Sequence, residues 1–140
     1  MRRTIFGAAL AMCLLLTACG SLRQPLPEDP VVFTRGEYFK EGLDSPYSTV
    51  EHEGKVFLPY GSIRPKGPFR SVVYAFGDCL GYVEGDTNDR LYILKGSSPE
   101  EWLISFYENG VMEMPLVYRE VNVPRAETPD CVESLGWEWE

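Results

Sequence analysis

The sequence is poor in the residues that most often do chemistry. Its 140 residues hold one histidine, His52, and 4 cysteines. A Ser-His-Asp or Cys-His constellation would have to be built on His52. That residue stands between Glu51 and Glu53, beside a Glu53-Gly54 turn. There it reads as an exposed turn residue, since a catalytic base needs a pocket and a nucleophile within reach. No CxxC, no HExxH and no second imidazole supply a zinc site. The glycine patterns that cradle phosphates or dinucleotides are missing too. Positive charge is scarce: 13 Lys+Arg face 21 Asp+Glu, for a formal net charge of −8. No basic stripe offers itself to nucleic acid. No apolar run reaches the roughly 20 residues of a membrane span. These absences predict a non-enzymatic chain without a cofactor.

What is present begins at the amino terminus. Arg2 and Arg3 are followed by an uncharged run from Ile5 to Leu16, then by small residues and a cysteine. Basic, apolar, small is the order of a secretory signal, whose central segment forms a signal helix. Leu16-Thr17-Ala18-Cys19 resembles a lipobox, the sequence at which bacterial lipoproteins are lipidated on cysteine and cut before it. The resemblance implies a signal peptide over 1–18 and a diacylglyceryl thioether, with further acylation such as palmitate, on Cys19. Two or more chains give stable anchoring where one gives only marginal binding. The expected location is the extracytoplasmic face of a bacterial membrane, in the cell envelope. Gly20 rather than Asp after Cys19 would favour the outer membrane in a cell with two membranes. The sequence does not choose the cell type.

Removing 1–18 leaves about 122 residues, enough for one domain with a core. The two arginines leave with the signal, so the mature net charge falls to about −10. Such a domain stays soluble and is repelled by anionic lipid. Residues 19–46 read as a tether: Pro25, Pro27 and Pro30 punctuate it, and proline-rich chain is extended at about 3 Å per residue. Within it, Val31-Val32-Phe33 is a candidate edge strand.

The folded part is expected over 47–140. Tyr47–His52 and Lys55–Tyr60 form a hairpin about Glu53-Gly54. Residues 61–68, with two glycines and two prolines, read as a loop. Further strands are expected at 70–76, 79–83 and 91–94, with turns at Gly77-Asp78 and across 84–89. Leu91 to Leu94 is apolar at every position, as in a strand buried on both faces. Residues 97–110 carry two signals. Ser98-Pro99-Glu100-Glu101 has the form of a capping box, which would make one short helix over 99–109. Trp102, Ile104 and Phe106 alternate as a strand does, and Asn109-Gly110 is a hairpin turn. The β-branched and aromatic centre favours strand, turn and a second strand to Val121. From Pro124 to Cys131 the chain loosens. Trp137 and Trp139 alternate with Glu138 and Glu140 in a last strand, with both indoles on one face. That pattern serves a sheet face more often than a sugar platform.

The expected fold class is therefore mainly β: a single small antiparallel sheet domain, whether meander, sandwich or partial barrel. Cys79 and Cys131 are an even pair outside the cytoplasm and form a disulfide candidate; the alternative is two thiols, with Cys79 buried as a small apolar residue. Asp86, Asn88 and Asp89 are oxygen donors of the kind calcium takes. Arg90 breaks the EF-hand pattern, so a polar turn is the simpler reading. Lys55 to Gly61, Cys79-Leu80-Gly81-Tyr82 and Leu91 to Leu94 together resemble small uncharacterised lipoproteins of Gram-positive bacteria. That resemblance implies a compact β-rich domain and no site. The expected function is a membrane-anchored, non-catalytic lipoprotein that binds an envelope partner or supports the envelope. The alternative is a small-ligand or glycan-binding accessory of a transporter or wall enzyme.

Overall fold

The computed structural model describes residues 24–67, 76–107, 114–124 and 128–140. The signal segment and Cys19 lie outside them, as do the Asn109-Gly110 turn and the expected strand at 70–76 except for Phe76. Strands take 56% of the described residues, with almost no helix, so the domain is mainly β. The strands are β1 (Val31–Tyr38), β2 (Tyr47–His52), β3 (Lys55–Pro65), β4 (Phe76–Val83), β5 (Asp86–Leu94), β6 (Trp102–Tyr107), β7 (Leu116–Glu120) and β8 (Trp137–Trp139). A one-turn helix, α1 (Cys131–Ser134), precedes β8.

All eight strands belong to one sheet, in the order β2-β1-β4-β5-β6-β7-β3-β8. β2, at one end, also pairs with β3, next to the other end. Strands β1 to β7 thus each have two neighbours within a closed ring, a barrel, and β8 pairs with β3 outside that ring. The sheet is mixed and not purely antiparallel: β1 runs parallel to β4 over Val31–Phe33.

The alternation of side chains builds two cores. Phe33, Val50, Phe57, Val83, Leu91, Leu103 and Tyr118 form one cluster. It takes one buried residue from each of β1 to β7, so it is the barrel interior. The second cluster lies on the outside of β3 to β7, where Tyr92, Leu94, Trp102, Ile104 and Val117 meet Val132 and Trp137 of the carboxy-terminal segment. Leu91 and Tyr92, adjacent in β5, enter opposite clusters. The continuous apolar run is explained by burial on both faces.

Several boundaries differ from expectation for physical reasons. The domain begins well before residue 47. β1 is a barrel strand, Leu26 packs on the outer core, and the Gln24 side chain donates to the Gly77 carbonyl and accepts from the Cys79 amide, both at 3.2 Å. Those contacts bridge the irregular stretch of β4 between Phe76 and Cys79. Gly77-Asp78 is accordingly strand and not turn: a Cβ on Gly77 would lie 3.0 Å from Ile93 Cβ. Residues 61–65, expected in a loop, continue β3. Its prolines sit where β3 has a partner on one side only, Pro59 opposite Tyr118 and Pro65 opposite Trp137, and an edge tolerates proline. The capping-box residues form a turn in which the Ser98 carbonyl accepts from Glu101 and Trp102; β6 follows, so the helix over 99–109 is not formed.

Candidate functional site

Cys79 and Cys131 are not joined to each other, so the expected disulfide is not formed. Cys79 is buried in the outer core, with Cys131 packed against it. Burial pushes the Cys131 thiol pKa up, because a thiolate there would lose hydration. The calcium candidates do not converge. Only Glu84-Gly85 forms the turn, and Asp86 already belongs to β5. One Asp86 oxygen accepts from the Asn88 amide at 2.9 Å and the other from the Tyr107 hydroxyl at 2.8 Å. These bonds hold its pKa below the usual carboxylate value. Asp89 is paired with Arg35. Among the described residues no three His, Cys, Asp or Glu side chains gather as a metal group. His52 ends β2, half-exposed, with its ring 5.5 Å from Phe33 and its Nε2 3.9 Å from Glu53.

Two features of the barrel carry concentrated polar chemistry. The first closes one end of the interior. Arg35 lies opposite Val50 on β2 and so faces inward. Its guanidinium donates to the Tyr118 hydroxyl at 3.1 Å and pairs with the Asp89 carboxylate. Burial opposes the Arg35 charge, but the Tyr118 and Asp89 partners outweigh it and raise the pKa. The donors and acceptors of this cap are spent on one another.

The second is a cleft of about 490 Å³ on the outer surface, between the β1–β2 hairpin tip and β8. Strand register assembles it. Tyr38 and Tyr47 are direct partners across β1 and β2. Arg119 on β7 stands opposite Leu58 on one side and Trp102 on the other. Between Pro59 and Gly61 the β3–β7 register slips, which makes Tyr60 the extra residue of a β-bulge and turns its ring outward. Tyr60 then packs edge-on against Trp102, centroids 5.0 Å apart, and against Trp139 at 5.2 Å. The Arg119 guanidinium lies over the Tyr60 ring, 5.6 Å from its centroid. Lys40, from the hairpin tip, and Glu140, after β8, complete the polar lining.

Arg119 is the chemically unfinished part of this surface. Its Nε and Nη1 are buried yet have no hydrogen-bond partner. A buried unsatisfied donor costs about 1–3 kcal/mol, more when charged. The cation–π contact returns roughly 0.5–2 kcal/mol. The arrangement therefore holds a partly desolvated cation against the aromatic cluster at the wall of the cleft.

Sequence reasoning missed this cleft. Trp139 was visible only as half of the terminal indole pair; both indoles pack on the outer core, Trp137 fully buried and Trp139 also lining the cleft. A signal for Arg119 existed. It lies in register with Val117 and Val121 on an otherwise apolar strand face, and a lone charge on such a face is unusual without a role. Comparison of the chain with protein families, with curated proteins and with solved structures finds no match.

Proposed function

We propose that this protein is a lipid-anchored, extracytoplasmic, non-catalytic binding domain of the bacterial cell envelope, and that the Arg119 cleft is its binding surface. The observation that carries the anchoring is the lipobox order Leu16-Thr17-Ala18-Cys19 behind a basic and apolar leader. Binding rather than catalysis is favoured by the kinds of residue in the cleft. Tyrosine, tryptophan, arginine and lysine offer stacking and charge pairing, and His52 lies elsewhere, beside Glu53 and Phe33. The interior is filled by one apolar side chain from each barrel strand, so a ligand would be taken on the outside.

The anchor would also be short. Gln24 is already hydrogen-bonded to the domain. Only the residues after Cys19 and before Gln24 separate lipid from fold, a reach of roughly 15–20 Å at full extension. The domain would thus work close to the bilayer, with its cleft available to envelope components at the surface. The test is fractionation and cross-linking of the full-length protein in a bacterial host, beside Cys19→Ala. Membrane association with a cross-linked protein or glycan, both lost in Cys19→Ala, is the expected result. Equal membrane association of the two proteins would overturn the proposal.

A further inference from the structure

We infer that the cleft recognises a proline-rich peptide segment in the polyproline II conformation, with a basic residue beside the prolines. This rests on the reading of the cleft as the binding surface. Three observations select the class. The first is the floor. β3 pairs with β7 along one edge. Its other edge pairs with β2 up to Phe57 and with β8 from Ile63. Leu58, Pro59, Tyr60 and Gly61 thus have no strand beside them on that edge, and all four line the cleft. Such a gap invites an added strand, but Pro59 within it has no N–H to give to a ladder. The floor therefore suits an extended chain that needs no ladder, and polyproline II is that conformation.

The second is the walls. Tyr38 and Tyr47 are cross-strand partners on the β1–β2 hairpin, which sets their rings side by side. Trp139, on β8, lines the cleft as well. The two tyrosine hydroxyls and the Trp139 indole N–H make no hydrogen bond to any described residue. Each is a flat apolar surface that carries a donor. Proline answers both features: its ring is apolar, its carbonyl accepts, and it has no N–H left in need of a partner. Aromatic-lined grooves of this chemistry take polyproline II segments, whose preformed backbone loses little entropy on binding.

The third is charge. Glu37, Glu41 and Asp44 are exposed on the hairpin that carries Tyr38 and Tyr47, and Glu140 lines the cleft. None of these four carboxylates is in an ion pair with a described residue. Lys40 is the one basic side chain of the hairpin tip. The rim is therefore negative, in a chain whose formal net charge is −8. It attracts a basic residue next to the prolines and repels an acidic one.

The experiment titrates the full-length protein in detergent micelles with synthetic peptides, each acetylated and amidated. The first is decaproline with a lysine at each end. The second keeps the lysines and replaces the prolines by alternating glycine and serine. The third keeps the prolines and replaces the lysines by glutamate. Binding is read by calorimetry and by tryptophan fluorescence, since Trp139 lines the cleft. The lysine-flanked decaproline is expected to bind saturably and at least tenfold more tightly than either control. Tyr47→Ala should lose tenfold or more, and Tyr47→Phe, which keeps the ring but not the hydroxyl, should lose less. Tyr47 is 40% exposed, and urea unfolding shows that both variants remain folded. Equal affinity for the proline and glycine–serine peptides, glutamate-flanked prolines binding as tightly as lysine-flanked ones, or an unchanged Tyr47→Ala would each overturn the inference. A protein or glycan that cross-links at the cleft while no proline peptide binds would overturn this inference and leave the binding-domain reading standing. Proline-peptide binding by a protein that is never lipidated would do the reverse, upholding the inference and overturning the anchoring.

Discussion

Replacing Gly81 by alanine should open the barrel at its parallel β1–β4 seam. Gly81 on β4 is the register partner of Val31 on β1. A Cβ built there would run into the Val31 backbone, 2.7 Å from both its N and its C. Those atoms belong to the main chain of a paired strand, so no side-chain rotation relieves the clash, and β1 must move. Its hold on β4 is slight: the register covers only Val31, Val32 and Phe33. Behind that seam sits Phe33, 3% exposed in the interior core, with its carbonyl accepting from the Glu84 amide at 2.8 Å. Displacing the segment removes most of the burial of one phenylalanine, a loss of about 3–5 kcal/mol by analogy with phenylalanine truncation. Each ladder hydrogen bond adds about 1 kcal/mol. A domain of this size has about 5–15 kcal/mol in total, so Gly81→Ala should lose a large share of its stability. The control is Gly85→Ala. Gly85 has nothing within 4 Å but a φ of +89°, and an L-residue there costs only about 1 kcal/mol. Urea unfolding followed by tryptophan fluorescence compares the two. If Gly81→Ala costs no more than Gly85→Ala, β1 does not pack on β4 as described and the closed barrel is wrong.

Trp137→Ala empties the centre of the outer core, where the indole is 0% exposed; it should cost about 3–5 kcal/mol in urea unfolding, and a loss below about 1 kcal/mol would show that β8 does not seal that face. The folded pKa of Asp86 is depressed by Asn88 and Tyr107, so its contribution to stability is present above the unfolded pKa and is lost as pH falls through the folded one. Tyr107→Phe should therefore reduce the loss of stability on acidification below the usual carboxylate range, and an unchanged pH profile would contradict the assignment. Burial shields the Cys79 thiol, and a raised pKa keeps the half-buried Cys131 protonated. Neither should react with Ellman's reagent quickly at neutral pH in the native protein, both should react on unfolding, and a mass two hydrogens lower with no titratable thiol would show a disulfide.

Local patterns that act within one strand pair were legible in the sequence. The hairpin about Glu53-Gly54 could be read because Glu53 and Gly54 both take positive φ, the backbone that a two-residue strand reversal demands. The two-faced burial of Leu91 to Leu94 was legible for the same local reason. What was not legible depends on partners far apart in the chain. Gly77 and Gly61 look like turn formers, yet they serve close approach of Ile93 and Trp139. The prolines of β3 look like strand breakers until the one-sided pairing of that strand is known. Val31 to Tyr38 seemed part of a tether because its neighbours, β2 and β4, lie across a turn and across most of the fold. The cleft was hidden for the strongest form of this reason. Tyr38, Tyr60, Arg119 and Trp139 come from four strands, and Tyr60 faces the cleft only through a register slip that no single stretch encodes.

The most direct test of the whole account is the intact mass of the full-length protein recovered from bacterial membranes. The account predicts loss of residues 1–18 and a mass increment of a diacylglyceryl group, with or without a further acyl chain, located on Cys19. A chain that keeps its leader, or one cleaved elsewhere with an unmodified cysteine, would contradict the anchoring on which the proposed function stands.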